Sequence, residues 1–235
     1  FNVQDIEASF NYDENSTLKP IVIIPKDKSE YLNSVNIIGR IDRFDVFEDE
    51  DGKQYVRVVD YKTSSSQSKI SEDDVKNGVA LQLITYLNAI INTLSDKKYT
   101  LPAAALYYTF DDDIDIVSNH VSFLKLTDSL KEKKYSMNGY VLDDEYIIEK
   151  MTGGNKNIIN NNKVKTYDEF VELKNIVYDN IEKASVNISK GKYPISPYSN
   201  KDYTICDSCK MRSICANCSN LLDESNSWYY NQWVN

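Results

Sequence analysis

The chain has 235 residues, of which 41% are hydrophobic and 27% are charged, and these proportions are typical of a globular protein with a buried core. Its 36 acidic and 27 basic side chains give a net charge of −9, which disfavours a protein that holds nucleic acid in a basic groove. No run of about 18 apolar residues occurs, so no transmembrane helix is predicted. The chain starts at Phe1 without a secretory signal, and we expect it to be a fragment of a longer protein.

The first strands are predicted between the N-terminus and Lys62. The runs IEASF and IVIIP are rich in β-branched residues, which favours short strands. Residues 35–62 then predict a β-hairpin, because VNIIGRIDRFDVF and QYVRVVDYK are both β-rich and are separated by EDEDGK, which contains an Asp-Gly turn signal. We therefore expect the hairpin to supply two strands of the central sheet.

The side chains of the two hairpin strands indicate how the strands pair. If Glu48 lies opposite Gln54, the strands present an apolar face, an opposite-charge pair and an aromatic pair. Those pairs are Phe44 with Val58, Val46 with Val56, Asp45 with Arg57, and Phe47 with Tyr55. A shift of one residue would turn the apolar set to the wrong face. This register places Asp42 directly opposite Asp60.

Asp42, Asp60 and Lys62 form a candidate site at the end of this hairpin. Cβ atoms of opposed residues lie about 4.5–5.5 Å apart, so both carboxylates can reach one hard cation such as Mg²⁺. Strand alternation puts Lys62 on the face of Asp60, where its ammonium can stabilise charge during phosphodiester hydrolysis. The alternative is a buried salt-bridge cluster in which Lys62 neutralises the two acids, and the spacing leaves both interpretations open.

Helical periodicity begins at about Ser71 and continues to Leu94. The segment SEDD supplies an N-cap and an acidic first turn, and one helical stripe contains Leu83, Tyr86, Leu87, Ile90, Ile91 and Leu94. Gln82 and Tyr86 are four residues apart and share a face of this helix, from which they can reach the acids. By residue type alone, both are also ordinary boundary residues of an amphipathic helix.

The second half of the chain is predicted to contain a buried strand followed by helices. The strand is expected at 101–110, short helices at about 127–134 and 143–151, and a long amphipathic helix at 166–190. The long helix starts with a Thr-x-x-Glu capping box and ends before Gly191. It leads directly into the segment that carries the cysteines.

All four cysteines lie within thirteen residues near the C-terminus, at Cys206, Cys209, Cys215 and Cys218. A disulfide framework distributes cysteines over a secreted domain, whereas a tight cluster is typical of zinc or iron–sulfur ligation. We therefore predict a main domain at 1–200 and a cysteine-ligated tail at 201–235 that packs on it.

The order of these motifs resembles the RecB-type nucleases of the PD-(D/E)xK superfamily. GRIDRFD, VVDYKTS and LQLITYL match the GRIDR-like strand, the D-Y-K strand and the Q-x-x-x-Y helix of that family. Within the family, PAAALYYTF, YSMNGYVLDDE and the C-terminal cysteines are similar to the AddB-type nuclease domains of AddAB helicase–nucleases. The resemblance implies an α/β fold with a restriction-endonuclease-like core, in which a mixed central sheet is flanked by helices and a cysteine-ligated tail is added.

The resemblance also implies roles for the residues that match the family motifs. Asp42 and Asp60 take the positions of the metal-binding acids for Mg²⁺ or Mn²⁺, and the backbone carbonyl of Tyr61 is a further ligand. Lys62 matches the catalytic lysine, and the pair Gln82 and Tyr86 matches the Q-x-x-x-Y motif. The family's upstream helix, which brings a histidine toward the metal, is expected to lie ahead of Phe1, so an inactive fragment is one expectation for this chain by itself.

Three of the cysteines, Cys206, Cys209 and Cys215, match ligands of the [4Fe–4S] cluster of the family. The first ligand of that cluster lies far upstream, ahead of the nuclease core, and this chain has no cysteine there. Cys218 is a candidate substitute for it. A zinc site, a partial cluster and an empty site are therefore alternatives for this fragment.

The resemblance implies a Mg²⁺-dependent DNA exonuclease that trims DNA ends during recombinational double-strand-break repair. The implied partners are DNA and an AddA-like helicase–nuclease subunit, in the bacterial cytoplasm and without a membrane. Two alternatives remain. The first is a stand-alone RecB-type exonuclease of the kind associated with CRISPR systems, and the second is a catalytically silent nuclease-fold domain that binds DNA ends or acts as a scaffold.

Overall fold

The computed structural model describes residues 1–26, 32–63, 70–109, 137–154, 163–193, 195–199, 204–212 and 215. The chain divides into two compact units, Phe1–Gly191 and Lys192–Asn235. The helix predicted at about 127–134 lies outside the described residues, and so does Cys218. Within the described ranges, no helix combines the length and the apolar composition that crossing a membrane requires.

The first unit is built on a mixed sheet of six strands. In chain order, the strands are β1 (Asn2–Phe10), β2 (Ile21–Ile23), β3 (Val35–Ile37), β4 (Gly39–Glu48), β5 (Gln54–Lys62), β6 (Thr100–Thr109), β7 (Met137–Leu142) and β8 (Lys163–Lys165). The sheet order is β1-β4-β5-β6-β7-β8, while β2 and β3 pair separately. β5 is parallel to β6 and β7 is parallel to β8, and the remaining neighbours are antiparallel. The predicted α/β class with a mixed central sheet is therefore confirmed.

The helices of the described ranges are α1 (Glu72–Lys76), α2 (Gln82–Leu94), α3 (Glu145–Thr152) and α4 (Tyr167–Ser189). α2 packs across β5 and β6 and also contacts α4, because its apolar stripe faces the sheet. α4 begins with the predicted capping box, in which Thr166 and Glu169 exchange side-chain and backbone hydrogen bonds. Gly191 follows the end of α4 with a φ of 64°, as its predicted position at the C-terminus of the helix requires.

The hairpin of β4 and β5 has the predicted register. Glu48 pairs with Gln54, and every other predicted pair of the apolar, charged and aromatic sets is present. The turn is closed by Gly52, which has a φ of 78° and whose N–H donates to the carbonyl of Asp49 at 3.1 Å. The hairpin can be predicted from sequence because side-chain pairing and turn chemistry agree on one register.

The prediction of one continuous helix from about 71 to 94 is wrong. α1 ends at Lys76, and Gly78 has a φ of 77°, a left-handed conformation that interrupts a helix. α2 then starts anew at Gln82. As a result, Gln82 lies in the first turn of α2, at the end of the helix that reaches the C-terminal end of β5.

The second unit contains one turn of 3-10 helix, Ile205–Ser208, which is capped by the side chain of Thr204. Thr204 also forms an isolated β-bridge with Ser199. The packing of a cysteine-ligated tail on the main domain stays a prediction.

Candidate active site

The candidate site lies at the end of the β4–β5 ladder. The pair Arg43 with Val59 ends the regular pairing, and the next step along the same register opposes Asp42 to Asp60. Asp42 Oδ2 accepts a hydrogen bond of 2.8 Å from the backbone N–H of Tyr61, so the side chain of Asp42 joins the two strands where the ladder stops. Asp42 is half-buried and Asp60 is 2% exposed, so the two acids differ in their access to solvent.

The other predicted site residues are connected by direct contacts that start at Asp60. Lys62 Nζ lies 2.6 Å from Asp60 Oδ2 and donates to Gln82 Oε1 at 3.0 Å. Gln82 Nε2 in turn donates to the hydroxyl of Tyr86 at 2.9 Å. The structure therefore brings together the two strands and the helix that the sequence motifs occupy, and it places Gln82 and Tyr86 on the site side of α2.

The surroundings of Asp60 disfavour the ionised form of its carboxyl group. Burial raises the pKa of Asp60 above its ordinary value, and the nearby charge of Asp42 adds to the rise. Lys62 opposes the rise without cancelling it. Despite its short distance to Lys62, the buried Oδ2 of Asp60 forms no hydrogen bond of acceptable geometry with any described residue. Asp60 is thus a buried acid whose Oδ2 is ion-paired with Lys62 but has no well-aligned hydrogen bond among the described residues.

The cluster also contains Tyr107, which lies in the PAAALYYTF segment but for which the sequence indicated no role in the site. In the parallel pairing of β5 with β6, Tyr107 is the neighbour of Asp60, and the centroid of its ring lies 5.1 Å from Lys62 Nζ. Tyr107 is 5% exposed, and burial together with the negative charge of Asp60 raises the pKa of its phenol. The run LYYTF predicts a strand, but the partner strand and the register between them have no local signal in the sequence.

The oxygen atoms of this cluster fit a divalent cation. A buried carboxylate oxygen without a donor is destabilised unless a cation or a proton compensates it. Mg²⁺ and Mn²⁺ prefer carboxylate and carbonyl oxygens, which Asp42, Asp60 and the backbone of Tyr61 can supply. Across the residues that the structure describes, no three His, Cys, Asp or Glu side chains form a metal-binding group. A cation here would therefore depend on two carboxylates, backbone oxygen and water.

The described cysteines, Cys206, Cys209 and Cys215, lie in the second unit and are not in disulfides. Cys206 is buried, Cys209 is exposed and Cys215 is half-buried. They supply three thiols, one fewer than the four ligands that a [4Fe–4S] cluster or a structural zinc site takes. Their role as ligands stays a prediction, and no step of the chemistry at the acidic site depends on it.

The chain is similar in sequence to known proteins over most of its length. The model of the PD-(D/E)XK nuclease superfamily matches residues 3–216. The chain is also similar to proteins named as the B subunit of an ATP-dependent helicase/deoxyribonuclease, with 34% identity over 80% of the chain in Clostridium novyi and 30% over 83% in Ruminiclostridium cellulolyticum. The protein of that name from Clostridioides difficile is 28% identical over 94% of the chain. The chain spans 18% to 20% of the length of these relatives.

The matched range includes the six strands of the central sheet, apart from Asn2 at the start of β1, and every residue of the acidic cluster. It also includes α2, which carries Gln82 and Tyr86. A match of this extent, on a mixed sheet with two acids at the end of its central hairpin, shows that the chain belongs to the PD-(D/E)XK nuclease superfamily.

Proposed function

We propose that this chain is the nuclease domain of an AddB-like subunit and hydrolyses phosphodiester bonds of DNA with the help of a divalent cation. The observation that carries the proposal is the buried carboxylate of Asp60 next to Asp42, whose Oδ2 has a short but poorly aligned contact with Lys62. The names of the relatives support a place in a helicase–nuclease complex, and the chain covers about a fifth of such a relative.

Asp42, Asp60 and the backbone carbonyl of Tyr61 are the proposed ligands of Mg²⁺ or Mn²⁺. When bound, such a cation polarises the phosphoryl group and compensates the charge of the two carboxylates. The burial of Asp60 supports this assignment, because a desolvated carboxylate interacts more strongly with a cation than a solvated one does. The hydrogen bond from Tyr61 N–H limits the movement of Asp42, so the two acids keep a fixed spacing.

Lys62 is the proposed electrostatic group of the reaction. Its ammonium can donate a hydrogen bond to an oxygen of the scissile phosphate or orient the attacking water, and it stabilises the negative charge that develops there. The hydrogen bond to Gln82 holds this ammonium toward the first turn of α2. Tyr86 holds the amide of Gln82 in turn, because its hydroxyl accepts from Nε2. The chain thus positions its own catalytic ammonium through neutral side chains.

A wider role is proposed for the full-length protein. We propose an exonuclease that resects DNA ends during recombinational repair, together with an AddA-like helicase–nuclease subunit in the bacterial cytoplasm. The similarity to helicase–nuclease subunits supports this over a stand-alone exonuclease. Cys206, Cys209 and Cys215 are proposed as three ligands of an iron–sulfur cluster, and iron analysis of the full-length protein tests that role.

The test compares Asp60→Asn with the wild-type subunit, each at full length and assembled with its partner subunit. The substrates are linear DNA labelled separately on each strand and circular DNA, with Mg²⁺ present. We expect cleavage of one labelled strand to fall by about 10³-fold in the variant, since the lost stabilisation acts on the transition state. The matched control is Asp51→Asn, which changes an exposed acid in the turn of the same hairpin.

Four outcomes would contradict the proposal. Equal activity of Asp60→Asn and wild type would remove the catalytic assignment. Binding of DNA ends by the wild type without cleavage, in Mg²⁺ and in Mn²⁺, would favour the silent scaffold. Full activity of the subunit without its partner would favour the stand-alone exonuclease, and cleavage of circular DNA would exclude an enzyme that acts only on ends.

A further inference from the structure

Among the residues that the structure describes, the ammonium of Lys62 contacts Asp60, Gln82 and the ring of Tyr107. Asp60 Oδ2 lies at 2.6 Å and Gln82 Oε1 accepts at 3.0 Å. The third neighbour is the ring of Tyr107, whose centroid lies 5.1 Å from Nζ. A lysine ammonium has three N–H donors on a flexible stem of four carbons, so its direction depends on all the groups that surround it.

Neither of the first two contacts fixes the ammonium by itself. The approach to Asp60 is short but is poorly aligned for a hydrogen bond, since Oδ2 is left without a partner of good geometry among the described residues. Gln82 lies in the first turn of α2, where Tyr86 holds its amide, but its exposed side chain occupies only one of the three donors of the ammonium. A contact from a rigid, buried group would fix the direction in which the Lys62 ammonium points.

Tyr107 is such a rigid group. Its Cα is paired with that of Asp60 in the parallel β5–β6 ladder, so the backbone of two central strands sets its distance from the acid. The side chain is 5% exposed and packs in the main core, which limits it to one orientation. The next residue, Tyr108, instead packs its ring edge-on against Tyr61, with centroids 5.9 Å apart. The two adjacent tyrosines therefore have different ring contacts, and it is the ring of Tyr107 that lies under Lys62.

The face of an aromatic ring attracts a cation through its quadrupole, and the attraction is larger in a desolvated place than at the surface. The side chain of Lys62 is 20% exposed, so most of it is shielded from water. The ring can hold an ammonium without accepting its proton and without competing with the phosphate for a hydrogen-bond donor. These properties suit a lysine that must keep a donor available for substrate.

We propose that Tyr107 is a positioning residue that holds the Lys62 ammonium toward the scissile phosphate through a cation–π contact. This inference rests on the proposed function, because it concerns the same lysine. It adds a requirement that no sequence motif of the site contains, which is an aromatic ring at position 107. The hydroxyl group of Tyr107 is not part of the requirement.

The test uses the full-length subunit with its partner and compares Tyr107→Leu with Tyr107→Phe. We expect Tyr107→Leu to lower kcat on linear DNA roughly tenfold or more, with KM for DNA changed less than about twofold. Tyr107→Phe should keep more than about half of the wild-type kcat, because it retains the ring. Tyr107→Met, which fills the space with a flexible chain, replaces the Leu variant if that variant does not fold.

The matched control is Tyr140→Leu. Tyr140 is a fully buried tyrosine on β7 with Lys163 over its ring at 5.9 Å, so this variant removes a similar ring and a similar contact away from Lys62. We expect its kcat to stay within about twofold of wild type while it remains folded. A fall in kcat equal to that of Tyr107→Leu would show a general effect of core packing and would overturn the proposal. Unchanged kcat in Tyr107→Leu, or failure of Tyr107→Phe to retain activity, would also overturn it.

A structure of each variant complex gives a readout that does not depend on activity. Lys62 Nζ should remain at its 3.0 Å contact with Gln82 in Tyr107→Phe and should leave it in Tyr107→Leu. A Lys62 side chain that is unmoved in the Leu variant would overturn the positioning role. If the wild type does not cleave DNA, the proposed function fails, while this structural comparison still decides whether the ring holds the lysine.

Discussion

Asp45 and Asp60 are buried acids on the two strands of one hairpin, but their surroundings differ. Asp45 is fully buried, and both of its oxygens accept hydrogen bonds from guanidinium groups, including 2.8 Å bonds from Arg43 Nε and Arg57 Nε. Asp60 is 2% exposed, and its Oδ2 has a short contact with Lys62 but no hydrogen bond of good geometry among the described residues.

This difference separates a structural acid from a candidate metal ligand. The oxygens of Asp45 are satisfied by planar donors in fixed positions, so they have no need of a further cation. At Asp60 a single lysine does not compensate for burial, and the pKa of the acid remains raised. The comparison favours metal binding over the alternative of a self-sufficient Asp–Asp–Lys salt-bridge cluster, because a self-sufficient cluster would resemble the surroundings of Asp45.

The largest expected effect on stability follows from Asp45→Asn. This change removes the negative partner of two arginines, of which Arg57 has a side chain that is only 12% exposed. Leaving a buried guanidinium without its anion should lower the free energy of unfolding by about 3 kcal/mol. Urea denaturation of the chain, with Asp51→Asn as an exposed control, measures the change. A loss below about 1 kcal/mol would show that Asp45 contributes little to stability, and the contrast between Asp45 and Asp60 would no longer hold.

A smaller effect is expected at Glu7, which lies beside Asp42 in the sheet. Its neighbours Ile6 and Ala8 pair with Arg43 and Ile41, and Glu7 itself has a φ of 56°, a left-handed conformation that costs a non-glycine residue stability. Glu7→Gly should therefore have a free energy of unfolding about 1 kcal/mol above that of Glu7→Ala. Both variants lose the exposed ion pair with Arg40, so its contribution cancels between them. Equal stability of the two would show that the backbone of β1 beside Asp42 is not strained.

The sequence predicted those parts of the fold that depend on neighbouring residues. The register of the hairpin follows from paired side chains such as Asp45 with Arg57 and from an Asp-Gly turn, and it is confirmed. The capping box at Thr166 and the stop at Gly191 are equally local, and both are present. The break between α1 and α2 depends on a single Asn-Gly step. In the sequence this turn signal is weaker than the apolar stripe that predicts a helix beside it.

The sequence could not predict contacts that depend on distant strands. β5 and β6 pair in parallel across the whole of α1 and α2, and nothing within either strand indicates which residue of β6 lies beside Asp60. The sequence alone therefore does not indicate which of the two adjacent tyrosines, Tyr107 or Tyr108, lies beside Asp60. Whether a buried carboxylate receives well-aligned hydrogen bonds also depends on residues that are distant in the sequence. Asp45 and Asp60 are the same residue type and differ in the donors that the fold brings to them.

The smallest expected effect, and one of opposite sign, follows from Asp60→Asn in the chain stripped of divalent cations. Burial raises the pKa of Asp60 in the folded chain above the value of about 3.9 for an unfolded chain. Between those two values the folded chain binds more protons than the unfolded chain does, so the free energy of unfolding falls as pH rises through this window. Above its raised pKa the wild-type Asp60 has lost this contribution, whereas the amide of the variant does not titrate.

Asp60→Asn should therefore be more stable than wild type at pH 7, and its advantage should shrink as pH falls toward about 4. Denaturation midpoints over this pH range measure the effect. Added Mg²⁺ should then stabilise the wild type but not the variant, because binding to the folded state alone raises its stability. A variant that is less stable than wild type at pH 7 without cations would show that Lys62 already satisfies Asp60, and the distinction between the two acids would then disappear.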